Sequence, residues 1–303
     1  MIFYFMFIFF CVTGIAGATE ISEGDAALAR KDYAAALELY SQARQNQKDN
    51  DWKRITVQII RCCLTQGETE RAVQEYFLLC RVDPAPPLEW IPLPWFVPIE
   101  TAMGMSLREK TAENWLDPLQ NQNTSQTKSP NLAAKLLAAG TLSVSPDRTK
   151  QQRGYQLLRE LEMILETSKK TPDIQESAFQ HHNHIALLAT ALRWKQRIPT
   201  LRNQSELTPL RRILEQIPES CQAGPLFLFG RAAQMVGDHE IAVLTWMRIP
   251  ILYSENIPLA AEALRETALS LEKLGRFDQA EQLRTEQSRL ETNREQKQTG
   301  QSH

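Results

Sequence analysis

The sequence predicts an all-α chain, a helix-turn-helix repeat solenoid, and three observations carry that expectation. Ala, Leu, Glu, Gln and Arg dominate, glycine is held to 12 of 303 residues, and Val and Thr form no alternating runs. That composition favours helices over strands. A turn followed by an alanine and then, in most cases, an aromatic recurs near both ends of the chain. Between those ends, apolar segments with helical spacing open on Ser-Pro or Thr-Pro, as helix N-termini do.

Residues 1–18, "MIFYFMFIFFCVTGIAGA", carry no charge and end in Ala16-Gly17-Ala18. A small-x-small ending followed by Glu20, Glu23 and Asp25 reads as an export signal, with the mature chain starting near Thr19. No Lys or Arg precedes the apolar run, which leaves an uncleaved anchor as the alternative. The run is slightly shorter than the ~20 residues of a membrane span. Cys11 follows Phe9-Phe10, where a lipidation site needs small residues.

The rest of the chain is long enough for a sizeable core. Lys and Arg number 34 against 36 Asp and Glu, so no global charge argues for nucleic acid or a membrane surface. Cys62, Cys63, Cys80 and Cys221 have no metal spacing. Adjacent helical residues point ~100° apart, so Cys62 and Cys63 do not easily chelate one ion. All four read as buried helix residues.

The repeat lies in four stretches: 24–43, 66–84, 230–249 and 267–283. Ala36 is followed four residues on by Tyr40, Ala72 by Tyr76, Ala242 by Trp246, and Ala280 by Arg284, where the aromatic is lost. Gly67, Gly237 and Gly275 stand five residues before their alanines, and Lys31 takes that place in the first stretch. A glycine there lets the chain reverse through a left-handed residue. Small residues, Gly24 or Gly230 on one helix and Ala36 or Ala242 on the next, let two backbones approach, and the aromatic fills the gap beside them. Ala36 and Ala72 are 36 residues apart, Ala242 and Ala280 are 38 apart. This pattern resembles the tetratricopeptide repeat, a ~34-residue helix-turn-helix unit. The resemblance covers roughly residues 20–84 and 222–290, and it implies an interaction scaffold that holds a peptide or partner protein in a groove. Exported bacterial members of that family are often linked to envelope assembly.

The middle departs from the motif. A step of 34 from Ala72 puts Ser106, Gly140, Ile174 and Thr208 where alanine is expected. Helices are expected after Ser129-Pro130, Ser145-Pro146, Thr171-Pro172 and Thr208-Pro209. The organisation expected is therefore a signal peptide (1–18), N-terminal repeats (19–84) and a Pro/Trp-rich connector with a polar loop (85–128). Divergent helical pairs (129–221), C-terminal repeats (222–291) and a disordered tail (292–303) complete it.

Four features compete as sites. His181, His182 and His184 sit in one helical stretch, and His181 and His184 share a face as two ligands could. No His-Glu-x-x-His pattern accompanies them, so packing and surface histidines are expected, and no metal. Residues 82–100 hold six prolines with Trp90, Trp95 and Phe96. They form either a plug for the core or an arm presenting a binding surface. Between Arg193 and Arg212 lie Arg193, Lys195, Arg197, Arg202, Arg211 and Arg212 against Glu206 alone. That stretch is a solvated face or a contact for an acidic partner. Glu160 and Glu162 fall on opposite sides of a helix, and no nucleophile elbow or phosphate loop occurs. No cofactor and no catalysis are expected. The expected function is a non-catalytic scaffold for a partner protein or peptide, exported to the periplasm or beyond. Trp90, Trp95, Arg193, Lys195 and Arg197 are the candidate contacts. The alternative is a helical enzyme or accessory factor acting on a wall polymer.

Overall fold

The computed structural model describes residues 20–45, 47–96, 108–116, 131–168 and 176–299. The apolar segment 1–18, the polar loop 121–129 and the Thr171-Pro172 helix start lie outside them. The described residues are helical, with no strand among them. They divide into two compact units, one made of the residues up to Pro92 together with those from Gln296 on, the other running from Leu93 to Glu295. The break falls inside the expected connector. The middle helices and the C-terminal hairpins, set apart by sequence pattern, share the second unit.

The first unit holds α1 (20–29), α2 (Tyr33–Arg44), α3 (Asp49–Gln66) and α4 (Thr69–Val82), followed by a short 3-10 turn at Leu88–Trp90. The second holds α5 (108–116), α6 (Leu132–Ser143), α7 (Arg148–Ser168) and α8 (Glu176–Arg197). It continues with α9 (Leu207–Gln216), α10 (Ala223–Met235), α11 (His239–Leu252), α12 (Ile257–Lys273) and α13 (Phe277–Thr299). Consecutive helices pack on one another within each unit. In the second, α6, α8, α10 and α12 also touch each other in series, so alternate helices form a continuous layer.

The four turns of the sequence repeat share one backbone conformation. Lys31 (φ 60°), Gly67 (78°), Gly237 (81°) and Gly275 (73°) are all left-handed. The next amide reaches back five residues each time: Asp32 to Ala27 O at 2.9 Å, Glu68 to Cys63 O at 2.8 Å, Asp238 to Ala233 O and Arg276 to Leu271 O at 2.9 Å. This is a Schellman closure, which satisfies carbonyls at the helix end. Lys31 adopts it at a steric cost that the three glycines avoid. Two of the following helices, α2 and α11, start alike. Asp32 and Asp238 accept from Ala35 N (3.2 Å) and Ile241 N (3.0 Å), a capping bond worth ~1 kcal/mol.

The alanines that follow, Ala36, Ala72, Ala242 and Ala280, have no exposed surface. Tyr40, Tyr76 and Trp246 beyond them are at most 1% exposed. A Cβ on Gly24 would stand 2.9 Å from the Tyr40 ring, and one on Gly230 would stand 2.4 Å from Trp246 Nε1. Each aromatic also satisfies its polar atom. Tyr40 donates to Asp25 Oδ1 (2.6 Å), Tyr76 to Pro87 O (3.2 Å) and Trp246 Nε1 to Phe227 O (2.9 Å). The fourth position, Arg284, is part-exposed and pairs with Glu272 and Glu281. With no room at the second helix of such a hairpin, Ala242→Leu is expected to lower stability by ~1–3 kcal/mol through overpacking. Urea denaturation followed by circular dichroism measures this, and an unchanged midpoint would mean that Ala242 has space around it.

Helices begin just after Ser129-Pro130 and Ser145-Pro146 as expected, whereas α9 starts at Leu207, ahead of Thr208-Pro209. α6 is capped by Asn131, which accepts from Ala133 N (3.1 Å) and Ala134 N (3.3 Å). At α7, Asp147 accepts from Thr149 N (2.8 Å). In each case the Asx residue just after the Ser-Pro pair provides the cap, because its oxygen reaches the second and third amides. α9 follows a capping box of Asn203 and Glu206, with Pro209 inside its first turn. At the other end, α13 continues to Thr299, through residues expected to be a disordered tail. Glu, Gln, Arg and Lys are good helix formers, and composition alone does not separate an exposed helix from coil.

Candidate functional site

Four residues of the connector lie across the second unit's layer of alternate helices. Leu93 is buried, whereas Pro94, Trp95 and Phe96 are half-buried. A methyl placed on Gly140 of α6 would stand 3.1 Å from Leu93 Cδ2, 3.3 Å from Leu192 Cδ1 of α8 and 3.4 Å from Pro94 Cδ. One carried by Gly224 at the start of α10 would fall 2.0 Å from Trp95 Cδ2, so the indole rests directly on that glycine. Phe96 meets Phe227 of α10 with ring centroids 5.9 Å apart. The segment therefore crosses α6, α8 and α10 in order, as a strap. Proline blocks a helix here and holds the chain extended.

The strap is latched by a charged group. Lys195, near the end of α8, donates its ammonium to the carbonyl of Pro94. Burial, and secondarily the charge of Arg231, lower its pKa to about 7.

Beyond the strap the face becomes polar. The Arg231 guanidinium lies 5.3 Å above the Phe227 ring and 3.3 Å from Glu266 Oε1 on α12. Glu266 is 5% exposed and is also held by Arg265 at 2.5 Å and Gln234 at 3.4 Å. Arg265 in turn binds Glu262 at 2.7 Å. Gln234 and His239 each reach Ser270 Oγ, at 3.5 and 3.4 Å. Met235 and Leu269 are exposed on the same two helices. Beside the seated strap the face thus carries two guanidiniums paired with carboxylates, and exposed apolar groups.

The expected contact residues are distributed rather than gathered. Trp90 belongs to the first unit, where Arg61 stands 5.3 Å over its ring. Trp95 belongs to the second, so the two indoles of the connector serve different units. Arg193 pairs with Glu162 of α7, Arg197 is exposed, and Arg211 lies 5.8 Å over the Phe229 ring. Arg193 and Arg211, on different helices, thus meet different neighbours. Gly140, Gly224, Phe227 and Arg231 were not singled out by pattern. For Gly224 and Phe227 the signal available was "GPLFLFG", 224–230, where two glycines flank aromatics inside a helix.

His181, His182 and His184 are part-buried on α8. Burial lowers the pKa of His182 and His184. No group of three or more His, Cys, Asp or Glu side chains placed to hold a metal occurs among the described residues. Replacing all three histidines by Gln is expected to leave metal content unchanged and near zero. Elemental analysis giving about one zinc per chain, lost in the triple variant, overturns that. Cys62, Cys63 and Cys80 are buried and Cys221 is part-exposed, with no disulfide among them. Burial pushes the Cys63 thiol up to about 12 and raises Cys80 as well, so both stay as thiols. Among the described residues no helix is long and apolar enough to cross a membrane. In comparison with known proteins, the chain matches no family model and no curated protein significantly.

Proposed function

We propose that the chain is a non-catalytic scaffold that binds a partner protein or peptide on its helical face. We further propose that it is an exported repeat protein of tetratricopeptide type whose mature form begins near Thr19. The observation that supports this most directly is the mixed face of α10 and α12. There Arg231, Glu266, Gln234 and Ser270 form a connected polar row beside exposed Met235 and Leu269. A surface of this kind suits recognition by charge-assisted bonds at the centre and apolar contacts beside them. The four left-handed turns, two of them with a glycine set against an aromatic, support the repeat reading.

The test is to express the full-length chain with a C-terminal tag, purify it from envelope extracts after cross-linking, and identify both partner and cross-linked residues. Cross-links from α10 or α12 to one enriched protein are the expected result. No enrichment over an untagged control, together with an enzymatic activity of the purified chain on wall polymer, defeats the scaffold reading. N-terminal sequencing of the same material reads the address: Thr19 for a cleaved signal, Met1 with membrane fractionation for an anchor.

A further inference from the structure

We propose that the face crossed by residues 93–96 is a docking site for an extended proline–aromatic segment of a partner protein, which the chain's own strap occupies in cis. This deepens the scaffold reading and rests on it.

The strap belongs to no helix, and within it Trp95 N donates to Leu93 O at 2.9 Å. Attachment to the helices is by side chains and one carbonyl: Leu93 against Gly140, Pro94 O to Lys195, Trp95 on Gly224, Phe96 against Phe227. That is how an extended peptide is recognised, with anchors at intervals and a hydrogen bond fixing direction. Three of the four side chains stay half-exposed, so the strap lies on the layer rather than inside it.

The face itself is shaped for this occupant. Gly224 sits inside the first turn of α10, where glycine weakens a helix relative to alanine. A Cβ there would occupy the indole's place, 2.0 Å from Cδ2 and 2.1 Å from Cε2. The position therefore forms a flat slot whose specificity is for a planar ring. Lys195 supplies a donor to a carbonyl two residues before the second ring. A segment with Pro, then two aromatics, satisfies all these contacts, and a helix or an acidic strand satisfies none of them.

A tethered segment enjoys a high effective concentration, so a foreign segment with the same contacts binds weakly until the strap yields. Occupation in cis also keeps Phe227, which has no exposed surface, from forming a sticky patch in the absence of partner.

The probe is a labelled hexapeptide copying residues 91–96, Ile-Pro-Leu-Pro-Trp-Phe, titrated by fluorescence anisotropy against the full chain. The strap-emptied variant L93A/W95A/F96A is expected to bind it at least about tenfold more tightly than the unaltered chain. Adding Gly224→Ala to that variant should abolish binding by filling the slot. A strap-emptied chain that keeps its helical circular dichroism yet binds no more tightly overturns the proposal, as does binding indifferent to Gly224→Ala. If the triple variant does not fold, the unaltered chain decides: saturating peptide should accelerate chymotryptic cleavage at Trp95 and Phe96, and an unchanged rate overturns the proposal. A dimer by light scattering that Trp95→Ala dissociates would give the face to a second copy's strap and overturn it too. Failure of these peptide experiments leaves cross-links through α12 intact, so it is distinguishable from failure of the scaffold reading.

Discussion

Gly154→Ala is expected to destabilise the second unit by ~2–3 kcal/mol, although alanine is the better helix former by ~1 kcal/mol. Gly154 lies in α7, and a Cβ there would stand 2.4 Å from Ser143 N, 2.7 Å from Leu142 C and 2.9 Å from Ala139 O. All three atoms are backbone of α6. A side chain in the way can change rotamer, but a neighbouring helix has to move as a body. That movement would pull α6 from its contacts with α8, where Ala133, Ala134, Leu136 and Leu137 have no exposed surface. Hydrogen exchange at α6 and α7 with urea titration of the full chain measures the effect. A midpoint that rises, as propensity alone would have it, shows that the two helices are not so close.

Gly154 also illustrates where sequence reasoning stopped. The hairpins near the ends were legible because turn, small residue and aromatic recur at fixed spacing, and the structure places Gly67, Gly237 and Gly275 in the left-handed region that such a turn requires. Even Lys31, standing in the glycine position, takes φ 60°. The middle hairpin of α6 and α7 solves the same close approach differently, with its glycine on the second helix and its turn closed through Ser145 and Asp147. A search for the alanine at a fixed step could not find it. The strap was half-legible. Six prolines and three aromatics announced an extended segment, but which of them reaches which helix depends on long-range contacts, such as Lys195 with Pro94, 101 residues apart. The surroundings of the basic run from Arg193 to Arg212 depend on such contacts too. Charge counts along a chain ignore the Glu162 and Phe229 that tertiary structure brings beside Arg193 and Arg211.

Arg44→Met is expected to destabilise the first unit by ~3 kcal/mol, and a second substitution, Glu75→Met, to restore most of it. The two side chains form a two-pronged pair between α2 and α4, with Arg44 Nη2 3.0 Å from Glu75 Oε1 and Nη1 bound to Oε2. Their side chains are 22% and 9% exposed. That burial separates this pair from Arg289–Glu286, at 67% and 42%, where an exposed pair contributes ~0–1 kcal/mol. Arg44 also lies 5.9 Å over the Trp52 ring, so it joins three helices of one small unit. Removing the guanidinium alone strands a carboxylate among apolar neighbours, and an uncompensated buried charge costs ~3–5 kcal/mol. Removing both leaves two flexible apolar chains of similar volume, which such a site tolerates, because the attraction of a buried pair largely offsets its own desolvation. Hydrogen exchange of α2 and α4 in the two variants and the unaltered chain decides the matter. Equal loss of protection in single and double variants would mean that Arg44 acts by packing on Trp52 rather than by balancing the charge of Glu75.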